Sequence, residues 1–374
     1  MDRIKVVTIM GTRPEAIKMA PVVKELRRRA GEFEQVVVAT AQHRELLDQV
    51  LSAFAIEPDV DLNLMQHDQS LSDFASRSLH ALSKLFSELK PRAVLIQGDT
   101  TTVMTAALAA FYSNISVGHV EAGLRSFDRR NPFPEEINRR VASCLVDMHF
   151  APTEGARRNL LNEGTAEEDI FVTGNTIVDA LKSISLEGDF EDERLGRLDL
   201  EGKRMLLVTA HRRENHGEPL RSICRGLRMI AERFDDVEIV YPVHPNPNVM
   251  RMVDEELAPV ERVSLVDPVS YKDLLRLMDR CYLILTDSGG MQEEAPSLHK
   301  PVLVLRGVTE RPEVVEAGAG RLVGTDSARI AEAAGELLSD PREYRKMSEA
   351  ENPFGDGLAA QRIVDALARR FGGG

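Results

Sequence analysis

The sequence lacks the patterns that mark several common classes of protein. It has no tryptophan, and its three cysteines, Cys144, Cys224 and Cys281, lie far apart without metal-ligand spacing. We expect all three to be buried, reduced thiols. No apolar run approaches the ~18 residues that span a bilayer, and the first residues lack the apolar core of a signal peptide. These absences predict a cytoplasmic protein that does not enter a membrane.

Two nucleotide-binding motifs are also missing. No G-x-G-x-x-G follows the first candidate strand and there is no P-loop, which argues against a dinucleotide oxidoreductase. The net charge of −13 argues against a nucleic-acid partner, since phosphate backbones need basic patches. The His and acidic residues also lack a compact metal-ligand spacing. Together with the missing nucleotide motifs, this leads us to expect no metal and no cofactor. An anionic ligand would need local Arg and Lys side chains and helix N-termini to overcome the acidic field.

The 374 residues suffice for two domains, each with its own core. Short β-branched runs alternate with longer amphipathic segments, which is typical of parallel sheets covered by helices on both faces. The predicted strands are Ile4–Ile9, Gln35–Thr40, Ala93–Gln97, Ser116–Val120, Met148–Ala151, Met205–Thr209, Glu238–Tyr241, Arg262–Val266, Tyr282–Leu285 and Val302–Leu305. Predicted helices include Ala16–Arg29, Arg44–Phe54, Leu71–Leu89 and Thr102–Tyr112.

A charged, glycine-punctuated stretch interrupts this alternation near the middle of the chain. We predict an N-terminal domain over residues 1–185, a linker over 186–203, a C-terminal domain over 204–356, and a last helix within 357–374 that packs back across the domains. The predicted fold class is α/β, with two Rossmann-like, doubly wound domains that face each other across a cleft.

Charged and polar side chains follow several of the predicted strands. In open parallel sheets, ligands bind beyond the carboxyl ends of the strands, so these residues are candidates for a site. They are Arg13 and Lys18 after the first strand, Asp99, Glu121, His211, His244 and Ser288. Glu135 and Glu136, which follow Pro134 at a predicted helix start, are further candidates. Most of them also have a structural explanation: Asp99 or Ser288 can cap a helix, the paired glutamates suit a first helical turn, and the histidines can be ordinary loop residues. Glu121 is the exception, because a carboxylate directly after a strand lies near the buried interior.

The segment TDSGGMQEEAPSLHKPVLVLRGVTERPE, which starts at Thr286, carries the most specific signal. It places Gly289 and Gly290 between a strand and a helix that we predict to start at Met291. Glycines there expose backbone N–H groups and admit a diphosphate. Glu294, one turn further on, can accept hydrogen bonds from sugar hydroxyls. The segment predicts a nucleotide-sugar site.

With these residues in view, the chain resembles the non-hydrolysing UDP-N-acetylglucosamine 2-epimerases, which have a two-domain fold like that of GT-B glycosyltransferases. Similar segments follow one another in family order along nearly the whole chain. They are GTRPEAIKMAP from Gly11, TAQHRELLDQVL from Thr40, QGDTTTV from Gln97, GHVEAGLRS from Gly118, PFPEEINRR from Pro132, TGNTIVDAL from Thr173, TAHRREN from Thr209, YPVHPNP from Tyr241, TDSGGMQEEAPSLHKPVLVLR from Thr286, TERPE from Thr309 and NPFGDGLAAQRI from Asn352.

The resemblance implies roles for individual residues. The family's catalytic positions fall on Asp99, Glu121, Glu135 and His211. Its substrate contacts fall on Arg13, Lys18, Arg139, Tyr271, Ser288, Gly289, Gly290, Glu294 and Arg311, with Tyr271 on the uracil side. The implied reaction interconverts UDP-N-acetylglucosamine (UDP-GlcNAc) and UDP-N-acetylmannosamine (UDP-ManNAc) through elimination of UDP and its re-addition to 2-acetamidoglucal. The family also implies a homodimer and a role in polysaccharide biosynthesis.

Many bacterial members of that family carry a second, regulatory UDP-GlcNAc site. Gln42, Glu135, Arg212 and His244 match it, whereas Glu45 and Asp68 stand where the family has Gln and Arg. Two acidic residues near a diphosphate should weaken binding there, so we expect reduced or absent substrate activation. Three other functions stay open: a GT-B glycosyltransferase that uses a UDP-sugar, a hydrolysing epimerase that releases ManNAc and UDP, and a catalytically silent nucleotide-sugar sensor.

Overall fold

A computed structural model describes residues 3–40, 44–66 and 69–372, and it divides into two compact units. Unit 1 comprises Met1–Ile184 and Phe354–Gly374, and unit 2 comprises Ser185–Pro353. Each unit is an α/β domain built on one parallel sheet, which has seven strands in unit 1 and six in unit 2. The prediction of two doubly wound α/β domains is confirmed at this level.

Unit 1 alternates strands and helices without interruption. Its elements are β1 Ile4–Met10, α1 Arg13–Arg28, β2 Phe33–Ala39, α2 Arg44–Ala53, β3 Val60–Asp61, α3 Leu71–Leu89, β4 Ala93–Gln97, α4 Thr101–Tyr112, β5 Ser116–Val120, α5 Glu135–Ser143, β6 Met148–Ala151, α6 Glu154–Asn162, β7 Ile170–Val172 and α7 Thr176–Lys182. The strand order is β3-β2-β1-β4-β5-β6-β7. The order reverses between β1 and β4, which is where such sheets bind ligands.

Unit 2 repeats this plan. Its elements are α8 Glu193–Gly196, β8 Arg204–Thr209, α9 Glu218–Arg233, β9 Val237–Pro242, α10 Pro247–Leu257, β10 Val263–Val266, α11 Tyr271–Arg280, β11 Leu283–Thr286, α12 Gly289–Glu294, β12 Val302–Val304, α13 Pro312–Glu316, β13 Gly320–Leu322, α14 Ser327–Ser339 and α15 Pro341–Ser348. The strand order is β10-β9-β8-β11-β12-β13, so its reversal lies between β8 and β11.

The strands form because their β-branched and aliphatic runs are buried on both faces, as central parallel strands require. All five residues of β4 and four of the five in β5 are buried. The structure confirms β4, β5 and β6 at the predicted residues and the other predicted strands within about two residues. It adds β3, β7 and β13, of two to three residues each, which are too short to show a periodic pattern.

The last helix, α16 Ala359–Phe371, packs in unit 1. The carboxylate of Asp179 on α7 accepts hydrogen bonds from the N–H groups of Ala359 and Ala360, at 3.2 and 2.9 Å. Burial raises the pKa of Asp179. Because these two N–H groups open α16, Asp179 fastens the start of the helix to unit 1.

The segment that we expected to be a linker, residues 186–203, contains α8 and lies in unit 2. Asp273 on α11 accepts hydrogen bonds from the N–H groups of Glu191 and Asp192, at 2.8 and 2.9 Å. The expectation for the cysteines is wrong for Cys144, which is exposed at the end of α5, whereas Cys224 and Cys281 are buried. Within the described residues, no helix is long and apolar enough to cross a membrane.

Candidate functional site

In unit 1, Lys18 and Glu121 meet at the carboxyl end of the sheet. Glu121 directly follows β5, and its φ of +66° lies in the left-handed region that residues other than glycine rarely adopt. The Lys18 ammonium on α1 contacts Oε2 of Glu121, and both side chains are less than a tenth exposed. The amide of Asn175 donates to the same oxygen at 3.3 Å. The buried ion pair and the Asn175 amide hold this carboxylate in one place, and such surrounding contacts are what allow the unfavourable φ to persist.

Asp99 follows the neighbouring strand β4 and is held from several sides. The guanidinium of Arg139 contacts Oδ2 of Asp99, and the amide of Asn138 donates to the Asp99 carbonyl at 3.0 Å. Nε2 of His119 lies 2.7 Å from the carbonyl oxygen of Gly98. The N-cap of α4 is Thr100. The geometry therefore assigns the cap to Thr100 and leaves Asp99 paired with Arg139.

The two adjacent glutamates at the start of α5 differ in their surroundings. Glu136 is fully buried, and its carboxylate accepts hydrogen bonds from the N–H groups of Ser126 and Phe127, at 3.0 and 3.3 Å. Glu135 is half-buried. Glu136 therefore stabilises the loop after β5, and Glu135 is the member of the pair that a ligand can reach.

Glu15 is a buried carboxyl to which the sequence assigned no role. Its oxygens accept hydrogen bonds from the N–H groups of Gly11 and Thr12 and from the hydroxyl of Thr100. Burial raises the pKa of Glu15 to about 7, and the nearby Asp99 adds to the increase. The capping box formed by Thr12 and Glu15 is the signal that identifies this residue in the sequence. Glu15 joins the Gly11–Thr12 loop, which precedes half-buried Arg13 at the start of α1, to Thr100 at the start of α4.

Two buried histidines behind these loops are structural. His119 on β5 pairs in register with His149 on β6. Burial lowers the pKa of His119 to about 3 and that of His149 to about 4. Both rings are therefore neutral near pH 7. His119 lies within the GHVEAGLRS segment, but a histidine in a strand has no distinctive spacing, so the sequence does not indicate a role for it.

In unit 2, His211 and Asp287 come together at the point where the strand order reverses. His211 lies in the loop after β8, and Asp287 directly follows β11. Nδ1 of His211 is 3.7 Å from Oδ1 of Asp287, which is fully buried. The His211 ring stacks on His244, with centroids 5.0 Å apart and an interplanar angle of 10°. Asp287 was part of the TDSGG motif, but no separate role was predicted for it.

The Ser288-Gly289-Gly290 turn opens α12, which starts two residues earlier than predicted. A Cβ placed on Gly289 would lie 3.7 Å from Nη2 of Arg212 and 4.0 Å from Nη2 of Arg311. Two guanidinium groups therefore flank a glycine whose first-turn N–H has no acceptor within the helix. Arg311 also contacts the carboxylate of Glu293. This arrangement suits a diphosphate.

Glu294, at the end of α12, is buried and lies beside Tyr271 at the start of α11. The Tyr271 hydroxyl donates to Oε1 of Glu294 at 2.8 Å. The structure thus joins a residue expected on the uracil side to the residue expected to bind ribose.

The residues of the expected regulatory site are only partly described. Arg212 lies beside Gly289, and His244 stacks on His211. Both therefore lie among the residues that follow the strands of unit 2. Gln42 and Asp68 lie outside the described residues, as does the side chain of Glu45. Among the side chains that the structure does describe, no group of three His, Cys, Asp or Glu residues could hold a metal ion.

The fold and these groups define a class of protein: a double Rossmann-like α/β protein with carboxylates beside one sheet and, beside the other, a glycine turn flanked by two guanidinium groups. Comparison with known proteins gives the family. Residues 24–368 match the family model described as UDP-N-acetylglucosamine 2-epimerase. The chain belongs to this family.

Individual relatives are similar to this chain over nearly their full length. The UDP-N-acetylglucosamine 2-epimerase of Escherichia coli strain K12 is 52% identical over 370 residues, with 97% of this chain and 98% of the relative covered. The solved UDP-GlcNAc 2-epimerase of Neisseria meningitidis bound to UDP-GlcNAc has a TM-score of 0.89 at 46% identity, covering 98% and 100% of the chains. The S. aureus MnaA structure with UDP has a TM-score of 0.91 at 46% identity, covering 99% and 97%.

Proposed function

We propose that this enzyme interconverts UDP-GlcNAc and UDP-ManNAc without hydrolysis, by anti elimination of UDP and its re-addition. The C2 proton of an N-acetylhexosamine is not adjacent to a carbonyl, so a base alone removes it too slowly. Departure of UDP from C1 develops positive charge there and acidifies the C2 proton. The C1–O bond then breaks with its electron pair on UDP, the C2 proton passes to a base, and 2-acetamidoglucal forms.

The observation that carries this proposal is the set of carboxyl groups at the strand ends of unit 1 and at the start of α5. Elimination and re-addition need acid and base groups that reach both faces of C2. We assign this role to Asp99, Glu121 and Glu135. The contacts of Asp99 with Arg139 and of Glu121 with Lys18 would hold two of these carboxylates in place.

The strand-end groups of unit 2 suit the departing nucleotide. Cationic side chains and backbone donors stabilise the charge that develops on a leaving diphosphate. His211, Arg311 and the Ser288 turn would supply these donors, together with Arg13 of unit 1. Glu294 would accept hydrogen bonds from the ribose. The relatives solved with UDP-GlcNAc and with UDP support a UDP-sugar as the substrate.

Deuterium exchange tests the reaction. The protein would be incubated with UDP-GlcNAc in D2O without any acceptor sugar, and the nucleotide sugar recovered. We expect UDP-GlcNAc and UDP-ManNAc that both carry deuterium at C2. Absence of exchange would contradict the proposal and favour a GT-B glycosyltransferase or a sensor, and release of free ManNAc with UDP would favour a hydrolysing epimerase.

The same proposal extends to the cellular setting. UDP-ManNAc supplies ManNAc-type sugars for cell-envelope polysaccharide, and we infer a cytoplasmic homodimer without a cofactor. Sedimentation of the purified protein tests the dimer. A panel of UDP-sugars with 3-acetamido or uronic groups in the exchange assay tests the choice of sugar.

A further inference from the structure

Asp287 is a buried carboxylate that the proposed reaction does not use. It directly follows β11, at the reversal of strand order in unit 2, and none of its surface is exposed. Burying a carboxylate is costly unless hydrogen bonds replace its water. The contacts of its two oxygens therefore indicate what the residue does.

Oδ2 of Asp287 organises the loop that carries His211. It accepts hydrogen bonds from the N–H groups of His211 and Arg212, both at 2.8 Å. It also accepts one from the side-chain amide of Asn215, at 2.9 Å. Three donors from one loop converge on a single oxygen, so this oxygen fixes the backbone on which His211 stands.

Oδ1 of the same carboxylate has a different environment. Among the described residues, no group donates a hydrogen bond to it. Nδ1 of His211 lies 3.7 Å away, just beyond hydrogen-bond distance. Because Oδ2 already holds the backbone of His211 beside Asp287, a small rotation of the imidazole about its side-chain bonds would be enough to form this hydrogen bond.

Two further histidines, His244 and His216, lie close to His211. His244, from the loop after β9, covers one face of the ring in a parallel stack. Partial burial lowers the pKa of His244, and His216 adds to the shift. Nε2 of His216 lies 3.2 Å from the carbonyl oxygen of His211. The carboxylate of Asp287 lies beside Nδ1 of His211, at 3.7 Å.

We propose that Asp287 is a positioning residue that binds the Nδ1–H of His211 and so directs Nε2–H toward the departing diphosphate. The contact selects the imidazole tautomer and, when the ring is protonated, balances its charge. No proton moves to Asp287. His211 donates a hydrogen bond through Nε2 as the electron pair of the C1–O bond moves onto UDP. This inference rests on the proposed function, in which His211 contacts the leaving group.

Asp287→Asn tests the proposal, because asparagine keeps the shape and can still accept hydrogen bonds from the loop. Its NH2 group would face Nδ1, however, and favour the opposite tautomer. We expect kcat for C2 exchange to fall by about tenfold to a hundredfold, with a smaller change in KM. A variant with unchanged kcat would overturn the proposal.

Asp273→Asn is the matched control. Asp273 is also a buried carboxylate in unit 2 that accepts hydrogen bonds from two successive backbone N–H groups, at 2.8 and 2.9 Å. It fastens residues 191–192 to α11 and has no part in the proposed reaction. Asp273 also forms a buried ion pair with Arg276, at 3.2 Å. Asp273→Asn should therefore lower the melting temperature at least as much as Asp287→Asn does, and yet keep the wild-type kcat. An equal loss of kcat in both variants would show a structural role only.

An NMR measurement separates this inference from the proposed function. ¹⁵N–¹H spectra of the His211 ring, assigned with a His211→Gln variant, report which nitrogen carries the proton in the wild-type protein with UDP. We expect a proton on Nδ1, and its absence would overturn the proposal whether or not Asp287→Asn folds. A wild-type protein that shows the Nδ1 proton but exchanges no deuterium at C2 would refute the proposed function and leave the Asp287 contact standing.

Discussion

Lys18 and Glu121, separated by 103 positions in the sequence, form a buried ion pair at the carboxyl end of the unit 1 sheet. Replacing Glu121 with glutamine keeps the shape but removes the proton acceptor and leaves the ammonium without its counter-charge. We expect Glu121→Gln to lower C2 exchange by about 100-fold or more. It should also lower the stability of the protein by up to about 3 kcal/mol.

Lys18→Met provides the comparison for this ion pair. It should cost a similar amount of stability, because it breaks the same contact from the other side. The double variant Lys18→Met with Glu121→Gln should lose less than the sum of the two single losses, since neither charge is then left alone. Strictly additive losses in urea unfolding, or wild-type exchange in Glu121→Gln, would contradict this account.

A substitution at Gly289 should weaken nucleotide binding without disturbing the fold. A Cβ at this position would make only ordinary contacts, at 3.7 Å from Arg212 and 4.0 Å from Arg311. Gly289→Ala should therefore fold, and its melting temperature should not fall, because alanine favours a helix more than glycine does. The methyl group would occupy the space beside the two guanidinium groups, so we expect UDP affinity to fall by about tenfold or more.

Gly196→Ala is the control for this substitution. Gly196 ends α8 in the same unit, and no atom lies within 4 Å of the position of its Cβ. Calorimetry with UDP should give the wild-type affinity for Gly196→Ala. Equal affinity in both variants would show that UDP does not approach Gly289.

Glu15 should make the stability of the protein depend on pH. Its pKa is about 7 in the folded protein, against 4.5 for an ordinary glutamate. Between these pH values the unfolded chain loses the proton while the folded protein keeps it. Glu15 therefore makes stability fall as the pH rises from about 4.5 to 7, by about 3 kcal/mol in all.

Glu15→Gln removes this titration. Its amide can still accept from the N–H groups of Gly11 and Thr12 and donate to Thr100. Relative to wild type, the variant should gain stability as the pH rises from 5 to 7, which thermal melts at both pH values can measure. A wild-type slope in the variant would show that Glu15 does not titrate in this range.

The regulatory prediction rests on sequence alone. Glu45 and Asp68 replace the Gln and Arg that the resemblance places beside a second diphosphate. We expect hyperbolic kinetics with UDP-ManNAc and no activation by added UDP-GlcNAc. The double substitution Glu45→Gln with Asp68→Arg should introduce activation. Sigmoidal kinetics in the wild type, relieved by a trace of UDP-GlcNAc, would contradict the prediction.

Much of the fold was predictable because it depends on local patterns. The β-branched runs of β4, β5 and β6 and the amphipathic period of α3 gave the observed boundaries. β3, β7 and β13 were missed, because two or three residues cannot display a period. The exposure of Cys144 was also missed, because it depends on which side of α5 faces the rest of unit 1.

The sequence by itself determined which residues follow the strands, and hence the candidates Asp99, Glu121, His211 and the Ser288 turn, because connectivity in a parallel sheet brings strand ends to one edge. Only the tertiary structure decided which other side chains these residues contact. Glu15 reaches Thr100 and Asp287 reaches His211 through pairings between strands distant in sequence. Such contacts depend on packing in three dimensions, and no spacing along the chain encodes them.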